Sequence, residues 1–336
     1  FGYTGLYNDE YYNAFSKWCR NHYDWSFPEE QLCVTPGIIP ALYQLTETLC
    51  TKDEKVLVNT PAYGYFLHAA EYAGVGVLTS PLHKKADGTF EMDFEDFEKK
   101  CADPACKLVF WCNPQNPTGR MWTEEELRRA GEIMRKYNLW VVSDEIHCDL
   151  IRCGRRHIPM ARVMEDYPKL ITCMAPSKTF NLAGLVGSYH IIYNKYLRDR
   201  VVAKSSKPHY NDMNVLSMHA LIGAYKPEGY EWVDELRQVI TGNVDYACEY
   251  IRTHFEGVEV SRPQGTYMLF LDCTQWCEKH GKTIDELEKA GWDVGVAWQD
   301  GRMFHGPCAI RMNLALPLSR VKEAFDRLDK YVFNAK

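Results

Sequence analysis

The sequence has no surplus of positive charge: 39 lysines and arginines face 45 aspartates and glutamates, a formal net charge of −6 over 336 residues. Without a basic field there is little to hold a phosphate backbone, so nucleic-acid binding is not expected. No apolar run approaches the roughly 20 residues that a membrane-spanning helix needs. The opening FGYTGLYNDEYY has neither the basic start nor the apolar stretch of a signal peptide, so neither a transmembrane helix nor a signal peptide is visible. The chain also lacks the CxxC spacing by which two thiolates of one turn grip zinc; its nearest pairs are Cys101/Cys106, Cys148/Cys153 and Cys273/Cys277. Thirteen scattered cysteines, an odd number, read as reduced thiols packed as small hydrophobes. No metal is expected, and a cytoplasmic location is. No repeat or low-complexity segment is visible, and with no methionine before Phe1 an N-terminal piece is expected to be missing.

What is present is an alternation of short apolar runs with amphipathic patterns. Tyr11, Phe15, Trp18 and Cys19 share one helical face, and Ile38, Leu42, Leu45 and Leu49 share another. Then come KVLVN (55–59), a helix near 62–73, VGVLTS (75–80), a short acidic helix from Asp93, and KLVFWC (107–112). Thr123 and Glu126 predict a capping box for a helix ending near Asn138, and LWVVS (139–143), KLITCMA (169–175) and GSYHIIYN (187–194) follow as strands. This order predicts an α/β fold, a mostly parallel sheet sandwiched by helices. A proline-free helical pattern from about Glu228 to Phe255 reads as a connector, and the strands and helices beyond it as a smaller C-terminal α+β domain. The expected division is a large domain over 1–228 and a connecting helix with a small domain over 229–336.

In an open parallel sheet, ligands bind beyond the carboxyl ends of the strands. Three apolar runs end in unusual polar segments there: NPQNPTG (113–119), DEIHCD (144–149) and PSKTFN (176–181). They bring an amide, a carboxylate with a nearby imidazole, and an amine to one edge of one sheet. That set matches the needs of pyridoxal phosphate: an amine for the aldehyde, a carboxylate to keep the pyridine nitrogen protonated, and donors for the ring oxygen.

NPxNPTG, DEIH and SKTFN in this order resemble the aspartate-aminotransferase-like (fold type I) pyridoxal-phosphate enzymes. FGYT with SKTFNLAGL resembles their branch of carbon–sulfur β-lyases of the MalY/PatB or cystalysin type. The resemblance runs from Phe1 to the final helix. It implies Lys178 as the lysine that joins the cofactor aldehyde, Asp144 as partner of the pyridinium nitrogen, and Asn116 as donor to the ring oxygen. His147 stands where many relatives place a tyrosine for that oxygen; it reads either as such a donor or as a neutral core histidine buttressing Asp144. Tyr63 would stack on the cofactor ring or pack at a helix start. The phosphate would lie at the helix starting in TPGIIPAL, on the backbone N–H groups of Ile38 and Ile39, whose side chains read as plain core. Ser177 would help there, and Tyr3 would reach the phosphate of a neighbouring subunit, which makes a homodimer with shared active sites the expected unit. Arg311, a charge inside the apolar strand AIRMNLAL, would bind the substrate carboxylate or sit in a structural salt bridge.

Two departures separate this chain from the aminotransferases of the fold, which carry a serine three residues before the lysine and an arginine eight after it, both on the phosphate. Here those positions hold Ala175 and Val186. A lost charge-assisted hydrogen bond costs about 1.5 to 3 kcal/mol, to be offset by Tyr3 and Ser177. The implied function is a pyridoxal-phosphate-dependent C–S β-lyase of the cystathionine β-lyase type; the alternative is an aminotransferase for aromatic or sulfur amino acids. Because one member type of this family doubles as a regulator, the resemblance also leaves room for a regulatory protein partner.

Overall fold

The structure is a computed structural model that describes residues 8–334. Its main sheet has seven strands in the order Leu32–Thr35, Ser188–Ile192, Leu170–Met174, Trp140–Asp144, Cys106–Cys112, Lys55–Thr60, Gly76–Pro81. The last five pair in parallel, and only Ser188–Ile192 runs against its neighbours. Crossover helices lie on both faces, which explains why the strands read as unbroken apolar runs. In Cys106–Cys112, Val109 and Trp111 join the cluster built on Phe15, Trp18 and Tyr189, whereas Leu108, Phe110 and Cys112 join the opposite one with Leu42, Leu45 and Phe66. The expected mostly parallel sheet sandwiched by helices is what the structure shows.

The capping signals are realised as hydrogen bonds. Glu126 N–H donates to the Thr123 hydroxyl while the Glu126 carboxylate accepts the Thr123 N–H, and Thr283 with Glu286 repeats the pattern. Asp93 accepts from the N–H groups of Glu95 and Asp96 at the head of Phe94–Cys101.

A second, antiparallel sheet has the order Glu259–Val260, Met268–Asp272, Ala309–Asn313, Gln299–Asp300 and its own core around Leu269, Ile310 and Phe325. The helix Pro227–His254 serves both regions: Val233 packs into the first core, and Ile240, Val244, Ala247 and Ile251 into the core of the second sheet. No helix among the described residues is long and apolar enough to cross a membrane.

Candidate active site

Three adjacent strands set the site. Cys112, Asp144 and Cys173 are lateral neighbours in the parallel register, so the segments that follow them leave the sheet side by side. On that edge lies a cavity of about 350 Å³. Its wall contains Ile38, Ile39, Tyr63, Asn116, Asp144, His147, Ser177, Lys178 and Arg311, so every sequence-predicted site residue but one is brought together. The exception is Tyr3, which lies outside the described residues. Ala175 and Val186 also line the cavity, the latter with a positive φ of 43° that is unusual for a β-branched residue.

Asp144 ends its strand 3% exposed and accepts the Ile146 N–H at 3.1 Å. Burial, with the nearby Glu145 charge adding to it, pushes its carboxyl from the ordinary 3.8 up to about 7. It is a carboxylate in want of a cation. Lys178 is shifted the other way: burial and the Arg311 charge lower the affinity of its amine for a proton, and Asp144 only partly offsets them.

His147 is buried, edge-on to the Tyr267 ring with centroids 5.5 Å apart. Burial first, then Lys178 and Arg311, lower it to about 3, so it is neutral near pH 7. No hydrogen bond joins it to Asp144, and its Nδ1 atom has no partner among the described residues.

Arg311 comes from the second sheet and meets the first: its Nη1 donates to Asn116 Oδ1 at 3.0 Å. Its Nε donates to Gln299 Oε1 at 3.0 Å, Nη2 reaches the same oxygen, and the guanidinium lies 4.1 Å from the centroid of the Phe304 ring. These partners are neutral, and no carboxylate pairs with Arg311 among the described residues. The half-buried arginine is held in place without being neutralised. Gln299 and Phe304 escaped the sequence reading because QDGRMF has no periodicity and only the strand pairing of Gln299 with Arg311 brings it near.

Gly37 caps the helix Ile38–Leu49 without a side-chain hydrogen bond. Pro40 has no N–H and Ala41 donates to Gly37 O, which leaves the Ile38 and Ile39 amides without an acceptor among the described residues. The Ile38 side chain, 6% exposed, is core, as expected. Free amides for a phosphate, a carboxylate for a pyridinium nitrogen, the unpartnered Nδ1 of His147 and a half-buried amine form a donor set that pyridoxal phosphate fits. Among the described residues no cluster of His, Cys, Asp or Glu could hold a metal.

Comparison with known proteins agrees with this geometry. The chain is 32% identical over 332 residues to cystathionine β-lyase PatB of Bacillus subtilis, covering 98% of this chain and 84% of that one. It is 31% identical over 328 residues to protein MalY of Escherichia coli, covering 96% and 82%. Among solved structures, the pyridoxal-phosphate-bound C–S lyase of Staphylococcus hominis superposes with a TM-score of 0.92 at 34% identity, covering 98% of this chain and 83% of that one. The family profile of aminotransferase class I and II matches residues 1–328, and the chain belongs to that family.

Proposed function

We propose that this protein is a pyridoxal-phosphate-dependent C–S β-lyase that cleaves cystathionine or related cysteine S-conjugates by α,β-elimination to pyruvate, ammonia and a thiol. The observation that carries the reading is the convergence of Lys178, Asp144, Asn116 and an un-neutralised Arg311 on one cavity. When bound, pyridoxal phosphate supplies an electron sink for the pair of electrons left at Cα. Asp144 keeps the ring nitrogen protonated, and the Ile38 and Ile39 amides with Ser177 hold the phosphate. Asn116 has two tasks, since its Oδ1 already accepts from Arg311 and its amide, without an acceptor among the described residues, would meet the ring oxygen. Neutral His147 donates to the same oxygen, and Tyr63 offers its face to the ring.

Arg311 binds the substrate carboxylate, which fixes the Cα–H bond toward Lys178. The Lys178 amine, whose proton burial has loosened, takes the Cα proton. The Cβ–S bond then breaks and the thiolate leaves. Ala175 and Val186 in the cavity wall support elimination over transamination, because the serine and arginine of the aminotransferases are absent there.

The working unit in this reading is a homodimer in which Tyr3 completes the partner's site. The thirteen unpaired cysteines, ten of them buried, support a reducing compartment such as the cytoplasm. Incubating the purified protein with cystathionine and pyridoxal phosphate is expected to give pyruvate, ammonia and free thiol with no keto acid added, and Lys178→Ala is expected to abolish both turnover and the visible absorption of the cofactor. Strict dependence on an added keto acid, with no thiol released, would replace the lyase with an aminotransferase.

A further inference from the structure

Asp144 and His147 line the cavity, but Asp149 of the same segment turns into the interior and is 2% exposed. Its Oδ1 accepts the Trp18 indole N–H at 3.0 Å and the Tyr23 hydroxyl, and its Oδ2 accepts the Thr179 hydroxyl at 2.8 Å. All three partners of the carboxylate are neutral. Arg237 reaches only the backbone, donating from Nε to Asp149 O at 2.7 Å. Burying an anion among neutral donors is costly, and an apolar side chain would pack the same space more cheaply.

What the carboxylate supplies is a rigid link. Thr179 follows Lys178 in a turn closed by Phe180 N–H on Pro176 O at 2.9 Å, and Trp232 Nε1 donates to the Thr179 carbonyl at 3.2 Å. Thr179 is 1% exposed, so its hydroxyl has no water to turn to. The segment carrying Asp144 and His147 and the turn carrying Lys178 leave different strands, and the Asp149–Thr179 bond ties them together.

We propose that Asp149 is a positioning residue which, through the Thr179 hydroxyl, fixes the Lys178 amine relative to Asp144; this rests on the proposed role of Lys178. Trp18 and Tyr23 hold the other oxygen, so the carboxylate cannot rotate away from Thr179.

The test compares Thr179→Val, which keeps the shape and removes the hydroxyl, with Thr179→Ser, which restores it, and with Asp149→Asn. Each holoprotein is assayed for kcat and KM, for visible-region circular dichroism, and for the rate at which borohydride fixes pyridoxal phosphate to Lys178. Thermal unfolding is followed in parallel. A misplacement of about 1 Å can cost about 100-fold in rate, so Thr179→Val is expected to lower kcat about 10- to 100-fold with KM changed less than about threefold, to slow fixation and to weaken the dichroic band. Thr179→Ser is expected to recover all three. Adding Thr179→Val to Asp149→Asn is expected to cost less than the two single losses combined, because both act on one contact. The Thr179 pair decides the matter if Asp149→Asn does not fold. Wild-type kcat, fixation and dichroism in Thr179→Val overturn the inference, as do losses that follow thermal stability and that serine fails to rescue. Absence of fixation in the wild-type protein would instead remove Lys178 from its proposed role.

Discussion

At the scale of the residue, the most consequential value is that of Asp144. Its carboxyl is raised from 3.8 to about 7, so without cofactor the folded chain keeps a proton that the unfolded chain releases. Stability from this group is complete below about pH 4, falls as pH rises through that window, and levels off above about 7. Thermal unfolding of the cofactor-free protein from pH 4 to 8 is expected to show this decline, and Asp144→Asn to flatten it. A decline unchanged in Asp144→Asn would assign it to other groups. Val186 offers a gain rather than a loss. It stands in the cavity wall where the aminotransferases of this fold have a cation, at a φ of 43° that suits an unbranched side chain better than valine. Val186→Arg is expected to add a charge-assisted bond of about 1.5 to 3 kcal/mol to the cofactor phosphate. The dissociation constant for pyridoxal phosphate, measured by fluorescence titration, should fall about tenfold to a hundredfold.

The elements show where the sequence is legible and where it is not. Asn116, Asp144 and Lys178 were readable because each follows an apolar run, and parallel pairing of neighbouring strands brings such positions together whatever the details of the loops. The reversed direction of Ser188–Ile192 left no trace, because a strand buried on both faces is apolar in either direction. Leu32–Thr35 is too short to stand out in the sequence, and the helices Lys195–Ser206 and Val215–Ala224 have no clear apolar stripe. Asp149 was inside a motif already singled out, but its partners Trp18 and Tyr23 are more than a hundred residues away in the chain. Gly119 is an element-level constraint that can be tested. It has φ +69°, its carbonyl accepts from Gln264 and Gly265 at 2.8 and 2.9 Å, and an added Cβ would lie 2.3 Å from Pro263 Cβ. Gly119→Ala combines left-handed strain with overpacking, about 2 to 4 kcal/mol together. The melting temperature is expected to drop by roughly 3 to 6 °C, with lost activity because the NPQNPTG segment carries Asn116. A melting temperature within a degree of wild type would show that the segment yields.

For the whole molecule, the cavity belongs to two sheets: Asn116 follows a strand of the first and Arg311 lies within a strand of the second. The expected homodimer would add a third contributor through Tyr3. Mixing inactive Tyr3→Phe and Lys178→Ala subunits should restore part of the activity, since one site of each hybrid then has both residues intact. Full activity of Tyr3→Phe alone would remove that tyrosine from the site, and inactivity of the mixture would argue against sharing.

Arg311 is gripped by an amide on each side and a ring beneath, none of which carries a negative charge. A guanidinium so held is a standing invitation to any small anion in the buffer, and the free amides of Ile38 and Ile39 are a second one. The protein is therefore expected to be inhibited by ordinary salts in a characteristic way. Sulfate should raise KM for the amino acid in proportion to its concentration while kcat at saturating substrate stays level, and at higher concentration it should draw the cofactor out. In Arg311→Ala, which is expected to have a raised KM from the loss of the carboxylate contact, the first effect should vanish and the second persist.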